Sequence, residues 1–172
     1  MWDTLVNELT QNFSQVPLVL AFTRLVMAAL LAGIVGYERE RRAKPAGLRT
    51  HILVSMAACL FMIISLEMAS VDFGGGEDVS TQIDPLRLIE AVTAGVAFLA
   101  AGLIFTSGGR VVNVTTGASL WLAGAVGLSC GAGQIPLAAL SAVTVVVTLW
   151  AIGKVERAVG THPEPPDEDA GD

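Results

Sequence analysis

Long apolar runs separated by short polar segments dominate the chain. Residues 17–36 contain one charge in twenty residues, and residues 52–66 contain none. A helix needs ~20 apolar residues to cross ~30 Å of hydrocarbon, and each run with its flanks approaches that length. The pattern therefore predicts an all-α polytopic membrane helix bundle with five transmembrane helices, at about 17–36, 50–69, 87–106, 115–130 and 135–153.

The same pattern divides the chain into three parts. Residues 1–16 are an outer N-terminal segment, 17–153 are the five-span transmembrane domain, and 154–172 are a cytoplasmic, largely disordered acidic tail. The tail contains three prolines and an acidic run at 167–169, a composition typical of disorder. The outer segment has no Lys or Arg, so it lacks the basic region of a cleavable signal peptide.

Basic residues determine the predicted orientation. Residues 37–51 form a short basic stretch between the first two apolar runs. If this loop is cytoplasmic, eight of the ten Lys and Arg lie on the cytoplasmic side, and only Arg24 and Arg87 do not. Short cytoplasmic loops are enriched in Lys and Arg. We therefore predict that the N-terminus lies outside and the C-terminus in the cytoplasm.

Composition agrees with a membrane protein. Hydrophobic residues make up 53% of the chain, charged residues only 15%, and the mean hydropathy is +0.64. These values are unlike those of an ordinary soluble domain. The net charge of −6 comes from acidic residues in the tail and outer segments, and no nucleic-acid motif is present. The lipid bilayer is the predicted environment, and nucleic acid is not a predicted partner.

Small residues recur at four-residue spacing in three of the predicted helices. Helices in lipid associate by close packing at such residues. Each stripe can either pack within one five-helix bundle or form a homodimer interface. Because several stripes cannot all face inward in a bundle of this size, we expect a homodimer. The stripes are Ala28, Ala32 and Gly36, then Ala97 and Ala101, then Gly127 and Gly131.

The two cysteines fall at different places in their predicted spans. Cys59 lies near the middle of span two and Cys130 at the outer end of span four. This placement predicts different depths in the membrane, which argues against a disulfide between them. Both are interpreted as packing residues.

Charged residues gather near the predicted outer ends of spans one to three. Arg24 lies about two turns inside span one, where an arginine costs several kcal/mol unless it pairs or snorkels. One interpretation is a buried ion-pair cluster that fixes the three spans, and the other is an outward-facing polar pocket for a cation or proton. The predicted outer polar cluster consists of Arg24, Glu67, Asp84, Arg87 and Glu90.

The chain contains none of the common catalytic sets. No Ser-His-Asp arrangement, HExxH motif or phosphate loop is present, and no aspartate lies inside a predicted span. His51 begins span two beside Arg49 and Thr50, and the other histidine, His162, lies in the tail. We therefore predict a protein that is not an enzyme and has no cofactor, with the presence of a metal site left undetermined.

Several blocks of residues resemble one family. Gly36-Tyr37-Glu38-Arg39, followed by Ala46-Gly47-Leu48-Arg49-Thr50-His51, resembles the signature of the MgtC/SapB family of bacterial membrane proteins. Further blocks follow in the family's order and approximate spacing over residues 20–150. They are Asp84-Pro85-x-Arg87, Gly95-x-x-Phe98-Leu99-x-Ala101-Gly102 and Thr115-Thr116-x-Ala118-Ser119-x-Trp121.

The chain departs from the family pattern at several positions. The family usually has Gly at positions 97 and 100, Gln at position 91, and Gly-Leu at 113–114. Here these positions are Ala97, Ala100, Ala91, Asn113 and Val114. Many relatives also carry a cytoplasmic C-terminal domain, and this chain resembles the membrane domain alone.

The resemblance implies a multi-pass protein of the cell inner (plasma) membrane that is linked to magnesium limitation and to the intracellular survival of pathogens. Two hypotheses about function stay open. The first is a regulator that acts on a membrane partner, and the alternative is a small transporter or channel for Mg²⁺ or another ion. The expected contact site on the cytoplasmic side, called here the basic-loop motif, consists of Glu38, Arg39, Arg42, Gly47, Arg49, Thr50, His51, Thr115 and Thr116.

Local spacing predicts contacts within this motif. Glu38 and Arg42 lie four residues apart and are predicted to pair if span one continues as a helix into the cytoplasm. Gly47 is then expected to let the chain turn sharply through its conformational freedom. Thr115 and Thr116 are expected to cap the start of span four.

The first testable prediction concerns orientation. Because short cytoplasmic loops are basic, a cysteine introduced at position 43 should react with a membrane-impermeant reagent only from the cytoplasm. A cysteine at position 77 should react from the outside. Labelling of intact and opened cells measures both, and the reverse pattern would overturn the predicted topology.

Overall fold

The computed structural model describes residues 1–2, 15–69 and 85–159 of the chain. Within these ranges the chain folds into five long helices and one short hairpin. The elements are α1 (Leu18–Arg41), α2 (Leu48–Met68), α3 (Pro85–Ala101), β1 (Phe105–Ser107), β2 (Arg110–Val112), α4 (Val114–Gly131) and α5 (Ile135–Val159).

The predicted helical class is confirmed. In the described ranges, α1, α2, α4 and α5 are long and apolar enough to cross a membrane. Helix α3 has 17 residues, the lower limit of the ~17–25 residues used by spanning helices. The side of the membrane on which each terminus lies stays a prediction.

One predicted boundary was wrong. Helix α1 continues past the predicted end of span one at 36 and ends at Arg41, because polar residues of the motif extend it beyond the apolar run. Helix α3 ends at Ala101 rather than at 106, and the chain then forms an antiparallel hairpin in which Phe105 pairs with Val112. The two residues between the strands, Gly108 and Gly109, have φ angles of 56° and 76°, as the tightest hairpin turns require.

Helix α4 lies at the centre of the bundle. It contacts each of the other four helices, and it is the most buried of the four long apolar ones. Helix α2 packs against α1 and α4, α5 packs against α1 and α4, and α3 packs mainly against α4. The core between these helices is apolar and includes Leu31, Val35, Ile63 and Val126.

Glycines allow the three central helices to approach closely. A Cβ atom on Gly127 would collide with the backbone carbonyl of Ser55, and one on Gly131 would lie 2.6 Å from the carbonyl oxygen of Cys59. A Cβ atom on Gly36 would lie 2.9 Å from the Cβ of His51. Two of the predicted small-residue stripes, with Ala28 and Ala32, therefore pack inside the bundle. The third stripe, Ala97 and Ala101, is exposed.

The predicted difference in depth between the two cysteines was wrong. Gly131 packs against the backbone of Cys59, so the residue before Gly131, Cys130, lies at nearly the same level. Both cysteines are buried in the same apolar cluster, and both are free thiols. Helices α2 and α4 are shifted along their axes so that Ser55 lies opposite Gly127. Because of this shift, the position of each cysteine within its own helix did not predict their relative depth.

The second prediction tests the contact between α2 and α4. Gly127→Ala should lower the free energy of unfolding by about 1–3 kcal/mol, because the added methyl group forces two backbones apart. Gly33→Ala is the matched control, since its Cβ would lie 3.5 Å from the nearest atom of Ile52, an ordinary contact distance. Reversible unfolding in detergent micelles measures both, and equal losses would contradict the packing described here.

Candidate functional site

The basic-loop motif gathers at one end of the bundle, called here the basic end. The C-terminus of α1, the N-termini of α2 and α4 and the C-terminal part of α5 meet there, as the contacts of His51 with Ser119 and of Arg42 with Leu149 show. Antiparallel succession of the five helices produces this arrangement. Residues separated by more than 100 positions therefore become neighbours.

Glu38 joins two arginines near the end of α1. Its Oε2 accepts a hydrogen bond from Nε of Arg39 at 2.6 Å, and its Oε1 lies 2.5 Å from Nε of Arg42. Arg39 is only 2% exposed, whereas Arg42 lies partly in the open. The pairing of Glu38 with Arg42 across one turn confirms the prediction that followed from a cytoplasmic extension of span one. One carboxylate thus shares its charge between a buried and a half-buried guanidinium.

Arg42 also connects α1 to α5. Its Nη2 donates a hydrogen bond to the carbonyl oxygen of Leu149 at 3.1 Å. The guanidinium lies against Gly153, where a Cβ atom would collide with it. A glycine near the end of α5 therefore provides the space that this arginine occupies.

The turn between α1 and α2 differs from the one predicted. Gly47 was expected to supply a sharp turn through its conformational freedom, but its φ of −110° is accessible to any residue. The left-handed residue is Ala43, with φ of 51°. Gly47 is required for space, because a Cβ atom there would lie 2.7 Å from Oε2 of Glu40. The same oxygen accepts a hydrogen bond from the N–H of Leu48 at 2.8 Å, so Glu40 caps α2 and complements its helix dipole.

His51 is completely buried beneath this turn. Its Nδ1 lies 2.8 Å from the carbonyl oxygen of Gly47, which can only accept, so Nδ1 carries a proton. Its Nε2 lies 3.2 Å from Oγ of Ser119, and that hydroxyl donates to the carbonyl oxygen of Thr116 at 2.8 Å. One hydroxyl proton cannot serve the imidazole and the carbonyl at once. The Ser119 oxygen nevertheless lies within hydrogen-bonding distance of both groups, so it links His51 of α2 to the first turn of α4.

Three other members of the motif are exposed or half-buried. Arg49 and Thr115 are exposed, and Thr50 is half-buried. Arg41 and Lys44 are exposed beside them. The basic end thus has two parts. One is a buried framework of Arg39, His51 and Thr116, and the other is an exposed set of cations, Arg49 of the motif with Arg41 and Lys44 beside it.

Several residues of this site were absent from the predicted set. Glu40, Ser119 and Gly153 each hold a motif residue in place. The signal for Ser119 was its position three residues after Thr116, which places both on one face of an apolar helix. Ser55, one turn after His51, is also buried, and its hydroxyl has no hydrogen-bond partner among the described residues.

Thr115 and Thr116 were expected to cap span four, and this was wrong. Helix α4 begins at Val114, and the residue before it, Asn113, has φ of 67°. The Asn113 side chain donates to the carbonyl oxygen of Leu103 at 3.1 Å and so closes the base of the hairpin. Glycine and asparagine are the residues that adopt this left-handed conformation most readily. The replacement of the family's glycine by Asn113 therefore preserves the backbone.

The structure distributes the predicted outer polar cluster over several elements at the opposite end. Arg24 donates to the carbonyl oxygen of Gly131 at 2.7 Å, where it complements the C-terminal end of α4. Glu67 accepts from the backbone N–H of Val16 at 2.6 Å. Arg87 and Glu90 are exposed on α3, and Asp84 lies outside the described residues. A shared role for the five residues stays a prediction.

Within the described ranges, no group of three or more His, Cys, Asp or Glu is placed to hold a metal ion. The buried polar side chains Arg39 and His51 are instead held by Glu38, Gly47 and Ser119. The groups available there for recognition are the exposed cations Arg41, Lys44 and Arg49 and the exposed hydroxyl of Thr115.

Comparison with known proteins identifies relatives along most of the chain. The MgtC family model matches residues 25–158. The chain is 37% identical over 130 residues to a protein of Escherichia coli K12 named "Putative magnesium transporter YhiD", covering 73% of this chain and 57% of that protein. It is 38% identical over 130 residues to Protein MgtC of Brucella abortus strain 2308, covering 76% of this chain and 50% of that protein.

A third relative is more distant. Protein SapB of Bacillus subtilis is 32% identical over 138 residues, covering 80% of this chain and 58% of that protein. The chain thus spans about half the length of the curated relatives it matches. No solved structure is significantly similar to it.

The third prediction tests the two-arginine arrangement. Glu38→Gln should lower the free energy of unfolding by about 2–4 kcal/mol, because it leaves the buried Arg39 without a compensating charge. Glu40→Gln should cost less than about 1 kcal/mol, because its amide oxygen still accepts from Leu48. Reversible unfolding in detergent measures both variants. If they lose the same stability, Glu38 does not hold the framework.

Proposed function

Because the chain belongs to the MgtC family, we propose that it is a non-enzymatic regulator that acts on another membrane protein. In this proposal the exposed cations at the basic end, Arg41, Lys44 and Arg49, form the contact surface. The regulator links magnesium limitation to ion homeostasis, as the family resemblance implies. The protein resides in the inner membrane with its basic end in the cytoplasm, in keeping with the distribution of Lys and Arg.

The division of the motif into buried and exposed parts is the observation that carries this proposal. Arg39 and His51 are buried, Arg39 against Glu38 and His51 within hydrogen-bonding distance of Gly47 and Ser119. A purely electrostatic anchor for topology needs neither buried side chains nor this network. The network holds the loop in one conformation, and a loop held in its bound conformation loses less entropy when a partner binds.

The exposed cations are suited to an acidic or phosphate-bearing surface. The turn between α1 and α2 carries three exposed cations, Arg41, Lys44 and Arg49. Guanidinium groups bind carboxylates and phosphates through two parallel hydrogen bonds, which gives geometric specificity. The expected partner surface is therefore acidic, on the cytoplasmic face of a membrane protein.

The interior of the bundle favours a regulator over a passage for ions. Between the basic end and Arg24, the core of the described residues is built from apolar side chains such as Val35, Leu31, Ala28 and Ile63. Mg²⁺ is bound by oxygen ligands and gives up its hydration shell reluctantly. The buried hydroxyl of Ser55, one turn after His51, adds one oxygen, and the apolar side chains of this core provide none.

A transporter is the second candidate, and the name of the Escherichia coli relative favours it. In that case the outer polar cluster, Arg24, Glu67, Asp84, Arg87 and Glu90, would line the entrance to the path. Arg24 and Glu67 occupy the same end of the bundle, which is compatible with an entrance there.

The fourth prediction tests the regulatory surface. In a bacterium that lacks its own relative, Arg49→Ala should abolish rescue of growth at low magnesium while the protein remains at its normal membrane level. Loss of a charge-assisted hydrogen bond of about 1.5–3 kcal/mol weakens binding at least about tenfold. Arg49→Lys should rescue partially, because Lys keeps the charge but not the bidentate geometry. Arg110→Ala is the matched control, since Arg110 is an exposed arginine outside the motif.

Transport is measured separately with purified protein in liposomes that contain a magnesium indicator. The proposal predicts no saturable Mg²⁺ flux. Flux that disappears in Glu90→Ala would establish the transporter instead. Full rescue by Arg49→Ala would show that this surface does not contact the partner.

A further inference from the structure

One glycine in the described helices has open space beside it where the described residues leave no neighbour for a side chain. A Cβ atom on Gly95 of α3 would meet nothing within 4 Å. The glycines of the other helices each have an atom of another segment within 4 Å of the position that a Cβ atom would take. They are Gly33, Gly36, Gly117, Gly124, Gly127, Gly131 and Gly153.

Gly95 adjoins an uncovered face of α3. The opposite face of the helix packs against α4, where Val96 contacts Gly124 and the carbonyl of Ala100 contacts Gly117. The uncovered residues follow a seven-residue spacing, with small residues at most positions. This outer face of α3 consists of Arg87, Glu90, Ala91, Ala94, Ala97, Phe98 and Ala101, and every one of these residues is exposed.

The small residues on this face differ from the large side chains that other exposed faces of the bundle carry. The exposed face of α5 carries large side chains, including Leu137, Leu140, Val143 and Val147. Small side chains let the backbones of two helices come close, and close packing is what holds helices together in lipid. The outer face of α3 therefore has the form of a helix-packing surface whose partner is not among the described residues.

The charges on this face complement those on the same face of a second copy of the chain. Arg87 and Glu90 lie one turn apart on α3, both are exposed, and neither forms an ion pair with another described residue. A two-fold axis along the membrane normal places a second copy of the helix at the same depth. Arg87 then meets the partner's Glu90, and Glu90 meets the partner's Arg87, as symmetric interfaces require.

The same face carries a projecting aromatic residue and adjoins an apolar groove. Phe98 is 80% exposed. An apolar groove of about 550 Å³ runs between α2 and α3, lined in part by Leu53, Ala57, Ala91, Gly95 and Leu99. We propose that two copies of this chain form a two-fold dimer through the outer face of α3, with Phe98 seated in the partner's groove and Arg87 paired to the partner's Glu90.

Charge reversal tests this interface with full-length protein in liposomes, where single-molecule photobleaching measures the dimer fraction against protein density. Arg87→Glu and Glu90→Arg should each reduce association at least about tenfold, because each places like charges together. The double variant Arg87→Glu/Glu90→Arg should return to within about threefold of the wild type. Phe98→Ala should also weaken the dimer, whereas Phe22→Ala, at an exposed aromatic residue of α1, should not.

Disulfide cross-linking provides a second measurement that does not depend on charge. Ala94→Cys should form a covalent dimer under mild oxidation, because a disulfide needs Cα atoms within about 7 Å. Val143→Cys on the exposed face of α5 should not, and the two native cysteines are buried. A monomeric wild type, unchanged single variants, failure of the double variant to recover, or equal cross-linking at 94 and 143 would each overturn the proposal. These measurements require no activity assay, so they are independent of the proposed function.

Discussion

The close approach of α2 to α4 is the constraint on which the rest of the structure depends. Lipid does not drive apolar helices together as water does, so contact between backbones has to supply the packing energy. Gly127 and Gly131 bring α4 against the carbonyls of Ser55 and Cys59, and Gly36 brings α1 against His51. These three glycine contacts determine how α1, α2 and α4 are positioned along their axes relative to one another, and hence which residues meet at the basic end.

The buried polar groups follow from that approach. His51 reaches Ser119 because the helices that carry them are already in contact, and the hydroxyl of Ser119 in turn reaches the carbonyl of Thr116. Glu38 compensates Arg39 and Arg42 from within the same helix. A buried charge without such a partner costs several kcal/mol, so the framework forms as a unit and fixes the turn between α1 and α2. The exposed Arg49 is consequently presented on a rigid support.

The family signature acquires a physical explanation in this arrangement. Gly36, Gly47 and His51 lie at contacts between helices or within the turn, where a larger or apolar residue would not fit or would leave polar groups unpaired. Asn113 likewise fits a structural requirement, because a left-handed backbone accepts asparagine in place of glycine. Part of the signature therefore maintains the fold, and its exposed cations are the part available to a partner.

The sequence by itself determined the helical membrane class, the family and the pairing of Glu38 with Arg42, because these depend on apolar length, residue order and spacing within one helix. It did not predict the hairpin at 105–112, since a two-stranded element of three-residue strands leaves almost no pattern. The tertiary structure alone decided that Arg24 meets Gly131, that Cys59 and Cys130 share one level, and that Gly47 provides space for Glu40. Each of these depends on the offset between helices that pack side by side, and that offset is set by which glycines meet across the interface rather than by distance along the chain.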